Sequence, residues 1–138
     1  MNAVRSRLAR RIATALLGPL ATAGALACGH CVEDRIAAVY DHALSQRVAA
    51  SGHQLAYFAW DGPGQRSEAV RLKILALSEA TAGVDRGSVR VAMDPTAIAV
   101  SFDPRRSSAE AVGTALRKQL GSLKLSLIPL QTPRAGDR

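Results

Sequence analysis

The chain has 138 residues, 48% of them apolar, 21% charged and only 4% aromatic, so it holds one small domain with a core built mostly of Leu, Val, Ile and Ala. Its formal net charge is +7, but Arg5, Arg7, Arg10 and Arg11 all precede the first acidic residue. Without those four, 14 basic side chains stand against 11 acidic ones, a net +3 with interspersed signs and no aromatic interleaving, which excludes nucleic acid as a partner.

Met1 to Arg11 is basic, and Ile12 to Ala27 then carries no charge. A short apolar run after arginines, ending in the small residues of Ala25-Leu26-Ala27, has the form of a secretory signal peptide over residues 1–27. Gly18-Pro19 breaks the run, which leaves it short for the ~20 residues that a membrane-spanning helix needs. Export places the remaining chain in the periplasm, or on the membrane facing it. Gly24-Ala25-Leu26-Ala27-Cys28 is also similar to a lipoprotein signal box. Acylation of Cys28 would turn its sulfur into a thioether, so a lipid anchor and a two-thiol site exclude each other. The membrane is therefore expected as a partner only through the leader or such an anchor.

Residues 28–53 hold both cysteines and a first helix. Val32, Ile36, Val39, Tyr40, Ala43, Leu44 and Val48 recur at helical steps, which predicts one helix from about Val32 to Ala50. Glu33 and Asp34 suit its positive N-terminal end, and Ser51-Gly52 ends it. Gln54 to Trp60 reads as a strand, and Asp61-Gly62-Pro63-Gly64 as a turn. Ser67 to Ala82 reads as a second helix with Val70, Leu72, Ile74, Leu75 and Leu77 inward. Val89, Val91 and Met93 alternate with other residues, as do Ile98, Val100 and Phe102. With Asp94-Pro95-Thr96 between them they form a hairpin. A capping box from Ser107 to Glu110 opens a third helix, lined by Val112, Leu116 and Leu120 and ended by Gly121. Leu123, Leu125 and Leu127 form a last strand, and residues 131–138 read as a disordered tail.

From Gln54 to Leu130 the order is strand, helix, strand, strand, helix, strand. The expected fold is α+β: a ferredoxin-like βαββαβ domain over residues 54–130, with an additional N-terminal helix after the signal peptide. That helix either packs on the open sheet face, placing the thiols near one sheet end, or stands away from it.

The segments from about Leu55 to Leu130 resemble the heavy-metal-associated domain of copper chaperones, mercury-binding periplasmic proteins and metal-pumping ATPases. The resemblance rests on Asp61-Gly62 after the first strand, the hairpin from Val89 to Phe102, and Asp103-Pro104 after it. It implies a ferredoxin-like fold and a role in metal handling or delivery, with a partner protein as a further expectation. The family's Cys-x-x-Cys metal loop is absent: its two ligand positions fall near Gln65 and Glu68.

The chain's own thiol pair is Cys28 and Cys31, with His30 between them. Two thiolates three residues apart suit one soft ion such as Cu(I), Hg(II) or Zn(II), and a helix start lowers a thiol's pKa. The leading expectation is an exported protein that binds such an ion through Cys28 and Cys31 with help from His30. A non-catalytic interaction module, anchored as a lipoprotein at Cys28, is the alternative. Dithiol redox chemistry is a third, because Cys-Gly-His-Cys also occurs in disulfide isomerases. His42 and His53 are most simply surface residues, and Tyr57, Phe58 and Trp60 sheet packing. No catalytic triad, carboxylate pair or phosphate loop is present, so no enzyme is expected.

Overall fold

The computed structural model describes residues 31–131. Two short helices come first, α1 (Val32–Val39) and α2 (His42–Ala50). Then follow β1 (Gln54–Asp61), α3 (Glu68–Glu79), β2 (Arg90–Met93), β3 (Thr96–Phe102), α4 (Ala109–Leu120) and β4 (Ser126–Leu130). The sheet is antiparallel, in the order β2-β3-β1-β4. From β1 onward this is the ferredoxin-like α+β arrangement.

Alternation along the strands divides the side chains between two layers. Phe58, Trp60, Ile98, Val100, Phe102 and Leu127 point to one face, where Ile74 of α3 and Val112, Leu116 and Leu120 of α4 complete the main core. Tyr57, Ala97 and Ala99 point to the other, where Val39 and Ile36 of α1 pack on them. The open face is thus occupied. Ala92, Ala97 and Ala59 lie across one row of it and give a helix room to approach.

The single helix expected from Val32 to Ala50 is two helices, broken at Tyr40-Asp41. Both residues are extended, at φ −71°, ψ 128° and φ −130°, ψ 111°. The cause is Asp41. Its Oδ1 accepts the Leu44 backbone N–H at 2.9 Å, so it caps a new helix where the apolar stripe alone suggests continuation. Its Oδ2 meets Arg90 Nε and Nη2, each at 2.9 Å, and ties the elbow to β2.

Other boundaries shift for local reasons. Ser108, not Ser107, caps α4, accepting Ala111 N–H at 3.1 Å. The last strand starts at Ser126. The chain first makes a 3₁₀ turn at Gly121–Leu123 and passes Lys124 at φ +54°, while Leu123 and Leu125 pack on the core from outside the strand. The hairpin turn has two residues, Asp94 and Pro95, because Thr96 already pairs with Met93. Leu72, expected inward on the second helix, is 49% exposed; Ile74 and Ser78 are the buried residues there.

Candidate functional site

Cys31 is the N-cap of α1, its side chain makes no capping hydrogen bond, and it is an exposed free thiol. Cys28 and His30, the other two expected ligands, lie outside the described residues, as do the leader and the tail beyond Gln131.

The position of Cys31 follows from how α1 is held. One turn on, Arg35 N–H bonds the Cys31 carbonyl at 3.2 Å. The Arg35 guanidinium donates from Nη1 to the Thr96 carbonyl at 2.7 Å and to Thr96 Oγ1 at 2.8 Å. Thr96 begins β3, opposite the end of β1, since Ala97 pairs with Ala59. At its far end α1 meets the Asp41–Arg90 pair. The helix therefore runs alongside β3, and Cys31 stands at the sheet end where β1 passes into the loop at 62–67.

That loop is where the resembled family keeps its metal. Gly62 lies against Leu125 and the Lys124 carbonyl, so a Cβ there would push the Leu125 side chain aside. Ser67 Oγ caps α3 through Val70 N–H at 3.3 Å, and Glu68 holds Arg71 at 2.6 and 2.8 Å. Arg66 approaches Asp94 Oδ1 at 3.7 Å. Of the two positions that match the family's ligands, Glu68 is thus committed to an arginine.

The thiol differs from expectation in its acidity. The Asp34 side chain beside Cys31 pushes its pKa up, against the pull of the Asp34 backbone N–H, and Glu33 adds to the rise. The helix start was expected to favour the thiolate. Here the same first-turn acids that suit the helix dipole oppose it.

His53, expected as a solvated loop residue, is half-buried. Its Nδ1 lies 2.7 Å from Asp85 Oδ2, which also accepts Ser101 Oγ–H at 2.5 Å. This cluster closes the opposite sheet end, where Gln54 pairs with Phe102. Sequence reading missed it because His53 and Asp85 are far apart in the chain. His42 is exposed, with Nδ1 3.3 Å from the Tyr40 hydroxyl. Trp60 is 4% exposed and donates its indole N–H to the Ala92 carbonyl at 3.1 Å. Among the described residues, no three His, Cys, Asp or Glu side chains converge on a point that would hold a metal ion.

No protein-family model matches the sequence, and no curated protein matches it either. A solved structure similar to this chain is the solution structure of the N-terminal domain of the zinc(II) ATPase ZiaA in its apo form. It is 19% identical, with a TM-score of 0.43, over 56% of this chain and 97% of that one.

Proposed function

We propose that this is an exported, non-catalytic protein that binds a soft metal ion through Cys28 and Cys31, with His30 as a third donor, and passes it to a partner protein in the periplasm. The supporting observation is the placement of Cys31. A helix fastened at Arg35 and Asp41 carries the thiol at a defined end of a ferredoxin-like sheet, exposed and free. A thiol there is reachable by a donor or acceptor protein, and two thiolates are soft enough for Cu(I), Hg(II) or Zn(II). Because the described residues supply one thiol, the reading depends on Cys28 being unmodified.

Two measurements test it together. Mass spectrometry of the processed N-terminus should show Cys28 without a lipid. A diacylglyceryl mass on it would favour an anchored interaction module instead. Titration of the processed protein with Cu(I) or Hg(II) should give one tight equivalent, weakened on the order of a hundred-fold in Cys31→Ser by loss of a thiolate ligand. Equal binding by Cys31→Ser would end the metal reading.

A further inference from the structure

The two layers over the sheet are unequal. On one face α3 and α4 bury Ile74, Val112, Leu116 and Leu120 against Phe58, Trp60, Ile98 and Phe102. On the other, α1 brings one buried residue of its eight, Val39, which lies at the helix's C-terminal end. Ile36 is half-buried, Val32 is 37% exposed, and the bed beneath is the methyl groups of Ala92, Ala97 and Ala99 beside Tyr57. So small an apolar contact gives α1 a weak hold, because burial stabilises in proportion to area. A helix of eight residues does not persist alone in water, and its N-cap, Cys31, makes no side-chain cap bond.

α2 is fixed differently. Asp41, at its start, holds Arg90 of β2. Just past its end, His53 N–H bonds the Val48 carbonyl at 3.0 Å, and His53 Nδ1 meets Asp85 Oδ2 at 2.7 Å. Leu44 and Val48 are buried between these two ties. The backbone bonds of α1 close at Tyr40 N–H to the Ala37 carbonyl, 3.3 Å, and those of α2 open at Ser45 N–H to the Asp41 carbonyl, 2.9 Å. The two extended residues between them, Tyr40 and Asp41, form a joint with one side anchored. On the other side of the joint, Arg35 grips Thr96 through its carbonyl and hydroxyl.

We propose that α1 is a hinged strap: it lifts from the sheet as one unit about Tyr40-Asp41, melting as it goes and carrying Cys31 away from the sheet end, while α2 and the α3–α4 core stay in place. The Arg35–Thr96 contact is its latch. Elements that move are drawn from the low-stability end of a structure, and α1 has the thinnest apolar contact to lose. Its opening bares Tyr57, Ala97 and Ala99. This inference is independent of the metal reading, since it needs only the helix, the joint and the latch.

Hydrogen exchange on the full chain tests it without any variant. The amides of residues 35–40 should exchange through one shared opening, ten-fold or more faster than those of residues 45–50 in α2 and of Ile98 and Val100 in β3, an order-of-magnitude expectation for a local opening against a larger one. Arg35→Ala removes the latch. It should speed the α1 amides by a further factor on the order of ten, leave α2 and β3 unchanged, and leave the emission of buried Trp60 as in the parent. A common rate for α1 and α2 would overturn the proposal, because the elbow would then be no joint. So would an Arg35→Ala chain in which α1 does not quicken, or in which β3 quickens as much as α1.

Discussion

At the residue scale, one side chain stands out for what it lacks. Ser78 in α3 is fully buried, and its hydroxyl has no hydrogen-bond partner. A buried hydroxyl without a partner costs ~1–3 kcal/mol, and alanine also has the better helix propensity. Ser78→Ala should therefore stabilise the domain by about 1 kcal/mol and raise the melting temperature by several degrees. A drop on calorimetry would show that the hydroxyl has a role the packing hides. Cys31 teaches a related lesson. Its position at a helix start is legible in the sequence, but its acidity is not, because Asp34 acts through a side chain whose direction no pattern reveals.

At the scale of elements, the elbow between α1 and α2 holds the N-terminal segment on the sheet. Asp41 accepts Leu44 N–H and pairs with Arg90, and these contacts, in that order, hold its carboxyl below the usual range. A depressed carboxylate stabilises the fold above its ordinary pKa, near 4, and loses that contribution as pH falls through the lower folded value. Acid should thus loosen the elbow below about pH 4. Asp41→Asn keeps a capping oxygen without the charge, so exchange at residues 38–44 should lose its acid dependence in that variant. Identical pH profiles for the two proteins would show that the charge is idle. Glu68, lowered by Arg71, and Asp103, lowered by the Arg105 backbone and side chain, titrate in the same window elsewhere and serve as internal references.

The elements that sequence reading placed well are those with a strict period or a strand-forming composition. Ile98, Val100 and Phe102 in β3 alternate, and Gln54 to Trp60 in β1 is an aromatic-rich run; the sheet follows both. It failed where one polar side chain overrode a pattern. Asp41 interrupts an unbroken apolar stripe, and its partner Arg90 is remote in sequence. Ser108 displaces the capping box at Ser107.

For the whole molecule, the sheet carries helices on both faces, and the small residues of β3 make the second layer fit. Ala99 is 1% exposed beneath α1. Ala99→Leu would insert three carbons where the helix rests, an overpacking that costs ~1–3 kcal/mol. The expected outcome is faster exchange throughout α1 with the α3–α4 layer intact, and a Cys31 thiol that reacts faster with an alkylating probe. Unchanged reactivity would mean that the sheet contact does not govern the thiol.

The single tryptophan of the chain connects these layers optically. Its ring is buried on the α3–α4 face, and its N–H is fixed to a carbonyl of the outermost strand, two positions across the sheet. Fluorescence from this one indole therefore reports on the β2 edge: blue emission while the hairpin stays seated, red emission once that edge lifts, with no label introduced.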